Sequence, residues 1–221
     1  MLLQKEQIQQ TLLTEGCALL SEADFGLTEA DRRRILEDYF NDVVLAPEHP
    51  GMKPVDRLRA RDVVDYQRSE DKIELQESSS IKLTTRPGLA GEHLHGVERD
   101  FSRVMALDDI SFTRLIRGLL GIIPDAHRSA GGKFHLNLYR TFTNVVSGPH
   151  QDGVAYFAVY VLDKTGGGAE TTLHDPSDVN RILARVALQP GSLIVVDDQR
   201  YLHDVSPLIG GQRDVLVGMV S

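Results

Sequence analysis

The chain has 221 residues, of which 41% are hydrophobic and 25% charged, a composition typical of a globular protein rather than a disordered or membrane-spanning one. Its formal net charge is −8 and its pI about 5.5, so no basic field for the phosphates of a nucleic acid is expected. The single cysteine, Cys17, excludes an internal disulfide. We expect one domain over residues 1–221 with a small-molecule substrate, no nucleic-acid or membrane partner, and a homodimer left open.

The amino terminus turns polar too early for a signal peptide, and no apolar run approaches the roughly 18 residues that span a bilayer. Together with the lone cysteine, these features favour a cytoplasmic location.

The first 46 residues are predicted to be helical. Residues 5–20 carry apolar side chains at roughly helical spacing, interrupted by Gly16, which predicts one helix or a helix followed by a turn. A clearer helix begins at Thr28, whose hydroxyl can cap the first turn. Its apolar face is expected to pack on the sheet and consists of Ile35, Leu36, Tyr39, Phe40 and Val43. Prolines and a glycine over 47–54 end this part.

Residues 57–221 are predicted to form a β-rich body. Residues 57–86 suggest a meander at a sheet edge, and residues 107–123 a helix closed by Gly121 and Pro124. Further strands are predicted at 133–143, 154–162, 168–174, 182–188, 192–197, 201–205 and 213–220. Helices followed by strands indicate a mainly β (α+β) class, namely a double-stranded β-helix (jelly roll, cupin-like) whose core spans 133–221.

His150 and Asp152 form a His-x-Asp pair. Residues two apart on an extended strand point to the same face, so both side chains can bind one ion. His203 follows a turn at 190–192 and an apolar strand, and it is the natural third ligand. Two imidazoles and one carboxylate leave half of an octahedral ferrous ion open. Arg213 opens the last strand, where a guanidinium suits a carboxylate arriving at the metal.

From residue 150 to 220 the chain resembles the iron(II)/2-oxoglutarate-dependent dioxygenases of the free-amino-acid hydroxylase (isoleucine dioxygenase-like) family. The matching blocks, in the right order, are 150–153, 167–171, 195–200, 203–207 and 213–217. A fainter match covers 95–101 and 134–140, and the first 45 residues show none. The loop before His150 lacks the acidic residue that the family carries there, which leaves the substrate open.

This resemblance implies that His150, Asp152 and His203 bind Fe(II), and that Arg213 holds the far carboxylate of the cosubstrate 2-oxoglutarate. It implies a hydroxylase acting on an aliphatic C–H bond of a free amino acid or related small molecule, with release of succinate and CO₂. The carboxylate of Asp152 favours hydroxylation over halogenation. Three residues are candidates for contacting the substrate: Arg140, Tyr156 and His95. The alternatives are a salt bridge at the rim for Arg140, a core aromatic for Tyr156 and a polar loop for His95.

Other polar residues near these motifs have more modest expected roles. Asp197, Asp198 and Arg200 are expected to brace the strand that carries His203. His174 is expected in a loop that contacts substrate or solvent.

The residues also leave alternatives open. A cupin-like metal enzyme that does not use 2-oxoglutarate fits the Pro-Gly turn before His203, although the first cupin motif is missing around His150. In a non-enzymatic jelly-roll binding protein, His150 and Asp152 would only form hydrogen bonds. His93 and His95 form a rival His-x-His site. The sequence does not distinguish hydroxylation from desaturation.

Overall fold

The computed structural model describes residues 2–48, 55–69, 72–81, 83–84, 98–99, 101–142 and 148–221. The α-helices of this part are α1 (Leu2–Glu15), α2 (Glu29–Tyr39) and α3 (Ile110–Ile122). Short 3₁₀ helices lie at Glu22–Phe25, Ala106–Asp108 and Asp125–His127. Among the described helices, none combines the length and the apolar character needed to cross a membrane.

Sixteen strands are described. They are β1 (Cys17–Ser21), β2 (Ala46–Pro47), β3 (Arg57–Arg68), β4 (Ile73–Glu77), β5 (Leu83–Thr84), β6 (Glu98–Arg99), β7 (Ser102–Arg103), β8 (Gly131–Thr141), β9 (Tyr156–Lys164), β10 (Gly167–Gly168), β11 (Thr171–Asp175), β12 (Asp178–Val186), β13 (Ser192–Asp197), β14 (Leu202–Val205), β15 (Leu208–Ile209) and β16 (Arg213–Val220).

Two mainly antiparallel sheets form a double-stranded β-helix, as the sequence predicted. The major sheet has the strand order β1-β13-β9-β16-β8-β3-β2, with β4 and the parallel β7 also paired to β3. The minor sheet has the order β12-β11-β14. The pairings β13-β9 and β9-β16 place strands far apart in sequence side by side, so that the ends of β13 and β16 both lie opposite Tyr156 at the start of β9.

The two faces of the major sheet have different partners. Alternate side chains of β8 and β9, such as Leu136, Leu138 and Tyr160, pack with the helices in one core. The intervening side chains, such as Phe157 and Val159, form a second core with the minor sheet. The helices therefore cover one face of the major sheet, as predicted, and the opposite face is left for the space between the sheets.

The predicted helix after Thr28 is confirmed. The Thr28 hydroxyl accepts a hydrogen bond from the Asp31 N–H at 3.2 Å. The Asp31 carboxylate in turn accepts one from the Thr28 N–H at 2.9 Å, and the two bonds form a capping box. The expected inward position of Val43 is wrong, because the helix ends at Tyr39 and the Val43 side chain is 93% exposed.

The expected helix or turn up to residue 20 is also wrong beyond Glu15. Gly16 has φ +71°, a left-handed conformation that ends α1, and a Cβ there would lie 2.9 Å from the side chains of Arg200 and Tyr201. The chain then forms β1, which pairs with β13 from Cys17 opposite Val196. Pairing with a distant strand thus overrides local helical spacing.

The predicted meander at the sheet edge is correct only in part. Strand β3 is twelve residues long, lies inside the sheet and pairs with β8 from Arg57 to Gln67. Only the hairpin to β4 lies at the edge. The loop expected around His174 is strand β11, where His174 pairs with Leu202 of β14.

Candidate metal and cosubstrate site

His150, Asp152 and His203 lie together at the open end of the β-helix. An isolated antiparallel bridge joins the two histidines: the His150 N–H donates to the His203 carbonyl at 3.1 Å, and the His203 N–H donates back at 2.8 Å. One ligand atom from each of the three residues lies within 4.8 Å of the others. Within the described ranges, this is the single group of three or more His, Cys, Asp or Glu side chains that could hold a metal ion.

Both imidazoles are oriented by neighbouring groups. The Nδ1–H of His150 donates to the Gly148 carbonyl at 2.8 Å, which directs Nε2 towards Asp152, 3.8 Å away. The His203 ring lies against the Phe157 ring, with centroids 4.1 Å apart, and its Nε2 is 3.5 Å from the Asp152 carboxylate. The two Nε2 atoms and the carboxylate therefore converge on one point.

The Asp152 carboxylate is anionic at neutral pH. Burial raises its pKa, but the adjacent imidazoles of His203 and His150 and the charge of Arg59 outweigh burial, so the pKa lies below its usual range. An anionic oxygen ligand beside two imidazoles is a donor set suited to ferrous iron.

A cavity of about 200 Å³ extends from this cluster between the two sheets. Its walls include the following residues: Arg57, Tyr139, Thr141, Phe157, Val159, Thr171, Leu208, Arg213, Val215, Val217 and Met219. Most of these come from the inward-facing positions of β3, β8, β9 and β16, so period-two alternation places them in one wall. The mixture of apolar walls and a few polar groups is typical of a small-molecule site.

The Arg213 guanidinium is buried in this wall, with 7% of the residue exposed. Its Nε and Nη2 atoms have no hydrogen-bond partner in the described part of the chain. Burial, and then the nearby charge of Arg57, lowers the pKa of Arg213 to about 10. A buried cation with free donors is costly, and a carboxylate bound in the cavity would satisfy it. The residues present thus fit both a divalent metal and an anionic cosubstrate.

The structure does not bring the substrate candidates Arg140 and Tyr156 to this cavity. The Arg140 guanidinium forms a two-hydrogen-bond ion pair with Asp214, at 2.9 and 2.7 Å, and lies over the Phe40 ring on the helix-covered face. Tyr156 is buried on that same face, with its hydroxyl 2.6 Å from His127 Nδ1. Because side chains alternate along β8 and β9, Arg140 and Tyr156 lie on the face of the major sheet that the helices cover, opposite to the cavity. His95, with the rival His93, lies outside the described residues.

Sequence reasoning missed the polar groups that flank the cavity on β3 and β8. Arg59 donates to Glu48 at 2.9 Å and to Asn137 at 2.7 Å, and Arg57 donates to the other Glu48 oxygen at 3.1 Å. The guanidinium carbons of both arginines lie within 5.3 Å of the Tyr139 ring centroid. The alternation of arginines at 57, 59 and 61 was the available signal, because it puts all three on one face of a strand.

The expected bracing by Asp198 and Arg200 takes another form. Arg200 donates to the carbonyls of Leu13 and Thr14 at the end of α1, at 3.0 and 3.1 Å. The Asp198 carboxylate accepts hydrogen bonds from the backbone N–H groups of Asp152 and Gly153, so it braces the segment after His150.

A jelly roll that holds two histidines and one carboxylate at its open end is the arrangement of mononuclear non-haem iron oxygenases. The family model described as 2OG-Fe dioxygenase matches residues 38–218. The chain belongs to this family and is a 2-oxoglutarate-dependent dioxygenase, whose cofactors are Fe(II) and 2-oxoglutarate. No curated protein sequence matches the chain.

Three of the solved structures that are similar to this chain illustrate the shared fold. A bsmA homolog from Methylobium petroleophilum PM1 has a TM-score of 0.80 at 22% identity, over 97% of this chain and 92% of the other. The Fe(II)/(alpha)ketoglutarate-dependent dioxygenase TqaL has a TM-score of 0.71 at 18% identity, over 98% and 86%. IDO from Bacillus thuringiensis has a TM-score of 0.68 at 15% identity, over 97% of both chains.

Proposed function

We propose that His150, Asp152 and His203 bind Fe(II), that Arg213 binds the far carboxylate of 2-oxoglutarate, and that the enzyme hydroxylates an aliphatic C–H bond of a free amino acid. One observation carries the first two assignments. The buried guanidinium with free donors, Arg213, shares a cavity with the His/Asp/His cluster.

The bound iron and cosubstrate supply the oxidising chemistry, in which O₂ is consumed, 2-oxoglutarate is converted to succinate and CO₂, and the substrate gains an oxygen atom. The protein positions the cosubstrate and excludes water from the site. Arg213 fixes one end of the cosubstrate, so its keto acid end is directed to the cluster. Phe157, Val159 and Val215 line the cavity with apolar surface, which strengthens these charge interactions by keeping water out.

The cavity also supports a small, charged substrate. The same cavity, of about 200 Å³, would also hold the cosubstrate. It is below the roughly 300 Å³ at which pockets for drug-sized ligands begin, so the space left favours a small substrate. Arg57 borders the cavity, and its guanidinium is complementary to the carboxylate of a free amino acid.

The test of the site is anaerobic titration of the Fe(II)-loaded protein with 2-oxoglutarate, followed by the weak visible charge-transfer band of the chelate. We expect the band in the wild type and no iron binding in Asp152→Ala. Arg213→Ala should bind iron but have a much lower affinity for 2-oxoglutarate. His127→Ala, an exposed histidine outside the cavity, is the control. Full iron affinity in Asp152→Ala, or an unchanged 2-oxoglutarate affinity in Arg213→Ala, would refute the assignments.

The substrate class is tested separately by succinate release in the presence of each free amino acid. We expect at least one amino acid to raise succinate release well above the uncoupled rate, with a mass increase of one oxygen in the product. No stimulation by any free amino acid, together with a normal charge-transfer band, would refute the substrate class and leave the site assignment intact. The single domain, the homodimer and the cytoplasmic location stay predictions.

A further inference from the structure

We propose that Asp198 is a positioning residue that builds the metal site before the metal binds. Its carboxylate holds the backbone that follows His150 and faces the ring of His203. The proposal rests on the proposed function in one respect, namely that His150, Asp152 and His203 are the metal ligands.

Asp198 follows the end of β13 and is 1% exposed. Its Oδ1 accepts the Asp152 N–H at 3.1 Å, and its Oδ2 accepts the N–H groups of Gly153 and Val154 at 2.7 and 3.1 Å. Three successive backbone N–H groups thus converge on one carboxylate, a geometry that binds anions. Gly153 makes the convergence feasible, because its φ of +74° is strained for any residue with a Cβ.

The backbone of Asp198 fastens the same loop at two more points. Its carbonyl accepts a hydrogen bond from Gln151 Nε2 at 2.7 Å, and its N–H donates to the Ala155 carbonyl at 3.2 Å. A single residue therefore contacts every position from Gln151 to Ala155. The Asp152 ligand lies inside this span, so its location relative to β13 is fixed without help from a metal.

The same carboxylate also faces the third ligand. Oδ1 of Asp198 is 3.6 Å from His203 Nδ1, which has no hydrogen-bond partner in the described part of the chain. This distance is too long for a hydrogen bond, but the nearby negative charge favours the tautomer with the proton on Nδ1. The lone pair of Nε2 then faces Asp152, as a metal ligand requires.

The chemistry requires aspartate rather than asparagine at this position. A carboxylate has only acceptor atoms and can accept hydrogen bonds from all three N–H groups. In an asparagine side chain, the NH₂ group would face at least one of these N–H donors, and the two donors cannot form a hydrogen bond. The preceding residue offers a matched control. Asp197 is also buried, but its Oδ1 accepts the Gln199 N–H at 3.1 Å in the following turn and contacts none of the proposed ligands.

The first test compares wild type, Asp198→Asn and Asp197→Asn by their Kd for Co(II) and by the visible spectrum of the bound Co(II). Loss of a group that orients metal ligands costs about 10- to 100-fold in metal affinity. We expect a loss of this size and an altered Co(II) spectrum in Asp198→Asn, with Asp197→Asn within twofold of wild type. An Asp198→Asn protein with wild-type Kd and spectrum would overturn the proposal.

A second measurement needs no variant, and so it decides the question even if Asp198→Asn fails to fold. In the metal-free wild type, we expect the amides of Asp152, Gly153 and Val154 to be protected from hydrogen exchange. Free exchange of these amides until metal is added would overturn the proposal. If the wild type binds no Co(II) at all, the metal assignment itself fails, and this outcome is distinct because the amides would still be protected.

Discussion

Replacing Arg213 with methionine should change stability and cosubstrate binding in opposite directions. The pKa of Arg213 is lowered from 12.5 to about 10 by burial. At about 1.4 kcal/mol for each unit of pKa, the charge costs the folded protein about 3 kcal/mol. Because the folded pKa lies below the unfolded one, this cost is fully present at every pH below about 10 and disappears only as the pH rises towards 12.5.

Methionine replaces the apolar stem of arginine without its charge, so the metal-free variant should be more stable than wild type. For a chain of this size, 1 kcal/mol corresponds to roughly 2–4 °C in Tm. The rise in Tm should therefore reach at most roughly 6–12 °C. Arg33→Met is the control, because its side chain is 69% exposed on α2 and its replacement should change stability by less than about 0.5 kcal/mol.

Cosubstrate binding should fall at the same time. Two hydrogen bonds to a charged group are worth about 1.5–3 kcal/mol each, so the Kd for 2-oxoglutarate should rise at least about 100-fold. Calorimetric scans with Mn(II), with and without 2-oxoglutarate, measure both effects. At 100 times its Kd, 2-oxoglutarate stabilises the wild type by about 2.7 kcal/mol, and at the same concentration this gain should fall to about 0.4 kcal/mol or less in the variant. A variant that is less stable than wild type and still stabilised by 2-oxoglutarate would refute the reasoning.

Two further predictions concern groups outside the cavity. Arg140→Ala leaves the Asp214 carboxylate, 1% exposed, with only Gln212 as a partner among the described residues. Urea unfolding should therefore show a loss of about 3 kcal/mol, with an unchanged KM for the substrate. A tenfold rise in KM without loss of stability would restore Arg140 as a substrate contact. Burial, and then a hydrogen bond with Asp62, raises the pKa of Glu77 to about 7. The folded pKa exceeds the unfolded one, so stability is lost as the pH rises from about 4.5 through 7. Glu77→Gln should therefore be more stable than wild type at pH 8, by on the order of 2 kcal/mol, and similar at pH 4.5. Parallel pH profiles of the two proteins would contradict this.

Local patterns in the sequence determined much of the fold. The helix predicted at 107–123 and the apolar runs predicted at 192–197 and 213–220 are short-range signals. The structure has α3 at Ile110–Ile122 and has β13 and β16 at their predicted bounds. The cap at Thr28 is of the same kind, since donor and acceptor are three residues apart. The cluster of His150, Asp152 and His203 was also accessible, because the motif and its spacing are properties of the chain alone.

Tertiary structure decided which face of each strand meets the cavity. The alternation of side chains along a strand correctly predicted that Arg140 and Tyr139 lie on opposite faces of the sheet. Which face meets the cavity depends on the helices packing on one side and the minor sheet on the other, and this packing places Tyr139 in the cavity wall. The strand at Cys17 likewise exists because β13 offers it a hydrogen-bonded edge.

The same distinction applies to charge. The sequence shows several arginines near the cavity-forming strands, and each could have bound an anion. Arg140 is matched by Asp214, and Arg59 by Glu48, in contacts 74 and 11 residues apart along the chain. Arg213 lines the cavity and has two buried donors without a hydrogen-bond partner among the described residues. Which arginine remains available depends on partners brought together by folding, and local sequence patterns carry no information about such long-range pairing.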